Sequence, residues 1–286
     1  MAGVTKPGTT SRETLRIRRA LVEAEPRRAD LRRDLSISLG NHATLARAEG
    51  RVEKARRYFE ESVKITRELL EAEPKRSDLR RDLCVVLGHL GVLAQAKGER
   101  EEARHNLEEA LAVVQALVET EPHRVDLQRD LSIALNHLGL LARAEGRSEA
   151  RRYSEAALKI MRALTEAEPH RADLQSDLSV SLRNLGNLAR AEGRTEEARS
   201  CFEESLKTIQ ALAEAEPDRT DVLIDLASLC WSLFNLETEP SEKAQYLRRA
   251  LDTFVLLRER TVADPRLDKL WDLVSRALTK MPPLPQ

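Results

Sequence analysis

The sequence predicts an all-α solenoid, a stack of antiparallel helix pairs in which each pair buries one face against its neighbours. A Glu-Pro pair recurs every 47 or 48 residues, at Glu25-Pro26, Glu73-Pro74, Glu121-Pro122, Glu168-Pro169 and Glu216-Pro217. Most of the phrase DLxxDLSxxLxxLGxLARAEGR follows each pair, and self-similarity at such a period indicates a repeat protein. The composition, 41% hydrophobic and 33% charged but only 3% aromatic, is typical of long helices packed through aliphatic side chains.

The second repeat shows how each repeat divides into two helices. Apolar residues after Asp78 recur at three- and four-residue steps, the period of one helical face, and Asp78 is expected to cap that helix. Gly98 ends the first helix, and the acidic residues within 99–102 suit the start of a second, which Pro122 ends. Each repeat therefore predicts two helices of about 20 residues, each about 30 Å long.

The spacing of the repeats also predicts how the chain is organised. We expect a disordered N-terminus at 1–10, a half-repeat or capping helix at 11–29, a repeat array at 30–262, a C-terminal capping helix at 263–280 and a tail at 281–286. The five repeats are expected at about 30–74, 75–122, 123–169, 170–217 and 218–262. The half-repeat has two interpretations: it caps the stack, or the chain is a piece of a longer array.

Three successive first helices share the spacing Leu-x2-Leu-Gly-x2-Ala, beginning at Leu87, Leu135 and Leu182. This spacing resembles the tetratricopeptide repeat (TPR), in the long-repeat form common in bacterial multidomain regulatory proteins. The resemblance implies a right-handed superhelix whose first helices line a concave groove. Two departures stand out: leucine replaces the family's first-helix tryptophan, and the repeat has 48 residues where the family has 34.

The resemblance also places the residues of a peptide-binding groove, beside the Leu-Gly pair and one turn after it. The candidates are Asn41, Arg47, His89, Gln95, Asn136, His137, Arg143, Arg183, Asn184, Asn187, Arg190 and Trp231. Asparagine can hold an extended peptide backbone, and arginine can pair with carboxylates. In the alternative interpretation, the asparagines and histidines only bridge neighbouring helices and the arginines are solvated. The lysine-rich carboxylate clamp of the family is absent.

Catalysis, cofactors and metals are not expected. The strings that mark phosphate loops and nucleophile elbows do not occur, and residues repeated in every block belong to the scaffold. Histidines one repeat apart lie a helix-packing distance of about 8–10 Å from each other, too far to share one zinc ion. The sequence therefore predicts no enzyme, no catalytic residue, no cofactor and no metal site.

Charge and hydropathy limit the partners. A net charge of -1 gives no field that favours nucleic acid, and no apolar run approaches the ~18 residues that span a membrane. Cys84, Cys201 and Cys230 lack metal-type spacing and fit a reducing cytoplasm. We expect a cytoplasmic protein that binds a protein or peptide partner and can self-associate through the solenoid ends.

Two functions remain open at this point. The first is a non-catalytic scaffold that binds a peptide or helix of a partner protein in the concave groove. The alternative is a regulatory or sensor subunit, or a fragment, of a bacterial signalling or defence system. It would control a separate effector such as a caspase-like peptidase, a kinase or an NTPase.

Overall fold

Helices account for nearly all of the chain. The computed structural model describes residues 7–260 and 265–278, with side-chain surroundings given for 13–257 and 271–277. Within these residues there are twelve helices and no strand: α1 Pro7–Ala24, α2 Ala29–Ala48, α3 Val52–Ala72, α4 Ser77–Lys97, α5 Arg100–Thr120, α6 Val125–Ala144, α7 Glu149–Ala167, α8 Ala172–Ala191, α9 Thr195–Ala215, α10 Thr220–Leu236, α11 Pro240–Arg260 and α12 Pro265–Leu278. The helical repeat predicted from the sequence is confirmed.

The helices belong to two compact units, Met1–Leu141 and Ala142–Gln286. In the first unit each of the helices α1 to α5 packs against the next, and α2 also contacts α4. In the second unit the same holds from α7 to α12, and α10 also contacts α12. Even-numbered helices are thus the first members of the predicted pairs, and odd-numbered helices from α3 are the second members.

The terminal expectations are only partly covered by the described residues. Helix α1 begins at Pro7, four residues before the start expected for the half-repeat, and residues 1–6 lie outside the described part. Helix α12 contributes Val274, which is fully buried, and Trp271, whose ring meets Phe254 edge-on at 6.0 Å. The expected tail at 281–286 lies outside the described residues. The domain boundaries therefore stay predictions.

Each first helix starts with an arginine clasp, not with an aspartate cap. The expectation that Asp78 caps α4 is wrong, because the residue at the cap position is Arg76 and no side chain caps the helix. The Arg76 guanidinium instead binds the Asp78 carboxylate at 2.6 Å and reaches back to Glu73. An aspartate in the first turn already benefits from the helix dipole, and the arginine adds a paired charge.

The clasp is repeated throughout the chain. Its arginine and aspartate members are Arg28–Asp30, Arg76–Asp78, Arg124–Asp126, Arg171–Asp173 and Arg219–Asp221. The same arginines bind the glutamate of the preceding Glu-Pro pair. The recurrent arginines noted in the sequence therefore hold each loop onto the start of its own helix.

Glycine makes the turn from first to second helix. Gly98 follows α4 with a φ of 80°, in the left-handed region that L side chains rarely adopt. Its amide donates to the Gln95 carbonyl, and the amide of Glu99 donates to the Ala94 carbonyl. Glycines at the matching places in the other repeats, Gly50, Gly146 and Gly193, also have positive φ.

The two helices of a pair touch where one of them carries a small residue. Gly91 of α4 lies against Leu107 of α5, and Gly186 of α8 lies against the Phe202 ring of α9. Both bulky partners are completely buried. The small residues that carry the sequence pattern therefore set the spacing between the paired helices.

Candidate peptide-binding site

In the first unit, two cavities open between successive first helices. One of about 270 Å³ lies between α2 and α4, beside Gly40, Asn41 and His89. A second of about 130 Å³ lies between α4 and α6, beside Gly88, His89 and His137. Glycine stands at the same repeat position in both cavities, and neither glycine carries a side chain that could fill the space.

His89 is packed between the two cavities. Its ring stacks on Phe59 with centroids 5.4 Å apart. Burial lowers the pKa of His89 to about 4, and the nearby positive charge of Arg47 adds to the effect. His89 is therefore neutral at pH 7, and one face of its ring is covered by Phe59.

His137 presents a polar atom that no protein group satisfies among the described residues. Its Nδ1 is shielded from solvent and forms no hydrogen bond there. It lies 3.9 Å from the point where a Cβ on Gly88 would stand. Burial lowers the pKa of His137 to about 4, with smaller contributions from His89 and Arg47. The imidazole is neutral at pH 7.

The other candidates of the first unit differ in exposure. Asn41 is exposed and borders the cavity between α2 and α4. Arg47 and Gln95 are half-buried, and Arg47 is near enough to both histidines to affect their pKa. Asn136 is only 6% exposed, so its side chain belongs to the helix packing and presents little surface to a ligand.

Arginine–aspartate pairs link the first helices of neighbouring repeats. Arg33 of α2 donates to Asp82 of α4 at 2.6 Å, and Arg81 of α4 donates to Asp130 of α6 at 2.5 Å. Because Asp130 is only 8% exposed, its charge depends on this partner. The recurrent aspartates noted in the sequence thus fasten one repeat to the previous one.

Changing Asp130 to asparagine is expected to lower the free energy of unfolding by about 1–3 kcal/mol, because Arg81 loses its charged acceptor. Asp34 is the matched control: it stands at the same repeat position, is exposed and accepts only through its backbone carbonyl, from Arg18. Asp34→Asn should shift stability by no more than about 0.5 kcal/mol. Urea unfolding followed by circular dichroism measures both. Equal effects of the two substitutions would contradict the fastening role.

In the second unit, Arg183 is engaged by its own scaffold. Its Nη1 donates to Asp225 of α10 at 2.5 Å. In the first unit the matching aspartates are held by Arg33 and Arg81, but α8 has Ser176 at that position of the repeat. Arg183 supplies the missing guanidinium and is not available to a ligand without losing this bond.

Arg143 and Arg190 form an uncompensated pair of positive charges. The pKa of Arg143 is lowered, first by burial and then by the charge of Arg190. No carboxylate among the described residues forms an ion pair with either guanidinium. The side-chain contact of Arg190 is to a neutral group: its Nη2 donates to the Asn187 side-chain oxygen at 3.3 Å. Arg143 is half-buried and Arg190 is exposed.

The remaining two candidates contribute mainly to packing. Asn184 is 8% exposed. Trp231 is half-buried and stacks on Phe234 with centroids 5.1 Å apart, against the apolar core of the second unit. The structure therefore brings the candidates onto first helices, but it leaves Asn41, Arg143, Asn187 and Arg190 as the ones most open to a ligand.

Two functional features were missed by sequence reasoning. The cavities at Gly40 and Gly88 were not among the candidates, although glycine two residues before the Leu of the Leu-Gly pair was visible in the sequence. The unsatisfied Nδ1 of His137 depends on the neighbouring helix and has no sequence signal. Within the described residues, no three His, Cys, Asp or Glu side chains converge as metal ligands would.

The cysteines are inert. Cys84, Cys201 and Cys230 are free and buried. Burial raises the pKa of Cys84 to about 12 and that of Cys230 to about 11, so both thiols stay protonated at pH 7. Of the helices in the described ranges, none is both long and apolar enough to cross a membrane.

Comparison with solved structures supports the same architecture. The crystal structure of BtubC (BKLC) from P. vanneervenii has a TM-score of 0.58 and 18% sequence identity, with 97% of this chain and 93% of that chain covered. A thermophilic TPR protein of Thermus thermophilus, TTC0263, has a TM-score of 0.47 and 19% identity, covering 85% and 99% of the two chains. At such identities the likeness concerns the fold alone. No curated protein matches the sequence.

A family model described as "Tetratricopeptide repeat" matches three segments, residues 37–74, 84–124 and 178–218. Each segment takes in the end of one first helix, the glycine turn and the following second helix up to the next Glu-Pro loop. The resemblance noted in the sequence is thereby confirmed. The matched segments and the paired helices together make this chain a repeat protein of the tetratricopeptide family.

Proposed function

We propose that this chain is a non-catalytic scaffold that binds an acidic peptide segment of a partner protein on its first helices. The family supports an interaction scaffold in general, and the Arg143–Arg190 pair carries the finer proposal. Most guanidiniums on this chain whose bonds are described face a carboxylate, whereas this pair faces another cation. A ligand carboxylate would supply the missing counter-charge.

The energetic argument rests on desolvation. Arg143 is half-buried, so its charge has lost part of its hydration without gaining a charged partner. A carboxylate placed between the two guanidiniums would form charge-assisted hydrogen bonds and cancel their mutual repulsion. Asn187, which already accepts from Arg190, can offer its amide nitrogen to a peptide carbonyl. An acidic side chain or a free C-terminal carboxylate satisfies this arrangement.

The proposal is tested by selection from a random peptide library displayed on phage, which works whatever the identity of the partner. The natural sequence should enrich peptides with aspartate, glutamate or a free C-terminus. Arg143→Glu combined with Arg190→Glu should reverse that preference toward lysine and arginine, with at least a tenfold loss of affinity for the acidic peptides.

The matched control changes the net charge equally elsewhere in the second unit. Arg152 of α7 and Arg248 of α11 are exposed and make no ion pair within the described residues. Arg152→Glu with Arg248→Glu should leave the selected peptides unchanged. If both double variants shift the selection alike, net charge and not the Arg143–Arg190 pair explains the binding, and the proposal fails.

The alternative, a regulatory or sensor subunit acting on a peptidase, kinase or NTPase, stays a hypothesis. It would use the same binding face, and the described residues give no reason to prefer one class of effector. The selected peptides would provide one, because their sequences could be compared with segments of candidate effectors.

A further inference from the structure

We propose that the cavity between α4 and α6 at Gly88 is a pocket for one hydroxyl-bearing side chain, a threonine, of the bound partner segment. The inference rests on the proposed function and names the chemistry of one subsite in the first unit. It concerns different residues from the Arg143–Arg190 pair, so the two ideas can fail separately.

The polar end of the pocket is the Nδ1 of His137. This atom is shielded from solvent and has no hydrogen-bond partner among the described residues. A buried polar atom without a partner costs free energy, so a ligand group that bonds to it is favoured. The atom faces the Gly88 side of the cavity, at 3.9 Å from the position a Cβ would take there.

The walls of the pocket are apolar and uncharged. They include Val85, Ile133 and Ala134. The Cys84 thiol also lines the cavity and is protonated at pH 7, because burial raises its pKa to about 12. Such walls suit a methyl group, and they give no counter-charge to a carboxylate or an ammonium.

The charged groups around the pocket are already committed or repel a cation. Asp130 borders the cavity, but its carboxylate accepts from Arg81 at 2.5 Å. His89 and His137 are both neutral at pH 7, and the charge of Arg47 acts on both of them. A neutral hydroxyl fits this environment, since it can donate to an unprotonated Nδ1 or accept from a protonated one.

The size of the cavity agrees with a small side chain. Its volume is about 130 Å³, room for roughly four water molecules at about 30 Å³ each. Threonine fills such a space with a methyl group for the apolar walls and a hydroxyl for the imidazole. Valine has the same shape without the hydroxyl, which gives the test a matched ligand.

Larger residues occupy the glycine position in later repeats. Asn136, Arg183 and Trp231 stand where Gly88 stands in α4. Arg183 is held by Asp225 and Trp231 stacks on Phe234, so both side chains are used within their own unit. Gly88 is therefore the place where the absence of a side chain and an unsatisfied acceptor coincide.

The test uses two blocked amino acids, N-acetyl-threonine methylamide and N-acetyl-valine methylamide, titrated into the full chain to their solubility limits. The readout is the ¹⁵N chemical shift of the His137 ring nitrogens. Only the threonine probe should move the Nδ1 resonance, with an affinity about tenfold above that of the valine probe. Equal shifts with both probes, or no shift with either because water satisfies the atom, would overturn the proposal.

A pair of substitutions gives an independent check. Gly88→Ser should place its own hydroxyl near Nδ1, reproduce the bound-state shift without any probe and abolish the response to threonine. Gly40→Ser, at the matching position of α2, should leave the His137 resonance and its response unchanged. A Gly88→Ser variant that folds with natural helicity and still responds to threonine would also refute the pocket. Neither result depends on the outcome of the peptide selection.

Discussion

Replacing Gly91 with alanine is expected to lower the free energy of unfolding by about 1–3 kcal/mol, the usual cost of overpacking a core. The new Cβ would stand 2.6 Å from Leu107 Cγ and 3.2 Å from the Ala103 carbonyl oxygen. Leu107 is completely buried, so it has no free space into which to move. Equilibrium unfolding in urea, followed by helicity, measures the loss.

Gly88, three residues earlier on the same helix, is the matched control. A Cβ there meets nothing closer than 3.9 Å. Gly88→Ala should therefore stabilise the chain by up to about 1 kcal/mol, because alanine is the better helix former. The same substitution thus has opposite signs at two positions of one helix. Destabilisation of similar size at both would mean that helix spacing is not set at Gly91.

A double-mutant cycle locates the cost. Leu107→Ala alone leaves a cavity, but combined with Gly91→Ala it removes the clash, so the double variant should lose less than the sum of the single losses. Simple additivity would show that the two residues do not interact. Gly186→Ala repeats the test in the second unit, where the new Cβ would stand 2.7 Å from the Phe202 ring.

Mild acid is expected to destabilise the chain through His89 and His137. Burial lowers the pKa of each to about 4, below the value near 6.5 of an exposed histidine. As the pH falls below 6.5, the unfolded chain binds protons that the folded chain refuses. Stability that is complete above pH 6.5 should therefore fall by about 1.4 kcal/mol per pH unit for each histidine, down to about pH 4.

The control replaces both histidines with residues that the chain itself uses at this position of the repeat. Asn41 and Asn184 match His89 and His137, so His89→Asn with His137→Asn keeps a polar side chain that does not titrate. Thermal unfolding between pH 7 and pH 4.5 should lose most of its pH dependence in this variant. A natural chain whose unfolding temperature is constant over that range would contradict the prediction. Carboxylates with lowered pKa, such as Asp78, matter only in more acid solution.

Helix boundaries were predictable because their signals are local. Gly98 and Pro122 act through their own backbone, and the apolar period of a helix is visible within a few turns of sequence. The capping assignment of Asp78 failed because two residues that both suit a helix start were adjacent. Only the geometry shows that the helix begins after Arg76 and that Asp78 serves as its ion-pair partner.

The candidate site was less predictable because it depends on partners in neighbouring repeats. Repeat position correctly placed Arg183 on a first helix, but its bond to Asp225 follows from a serine seven residues earlier, Ser176. Conversely, Arg143 and Arg190 matter because no described carboxylate pairs with them, which a sequence rich in glutamate does not reveal. Contacts between repeats, not residue type, decide which side chains are available.

The pairing of Arg33 with Asp82 and of Arg81 with Asp130 has a consequence for how such a chain can grow. Helix α4 carries both an aspartate that receives the previous arginine and an arginine offered to the next aspartate. A gene segment encoding one whole repeat could be duplicated in tandem there without creating an unmatched charge, since the copy brings both halves of the connection. Where Ser176 replaces the arginine, that freedom ends, and a new copy would need Arg183 or another donor to join it.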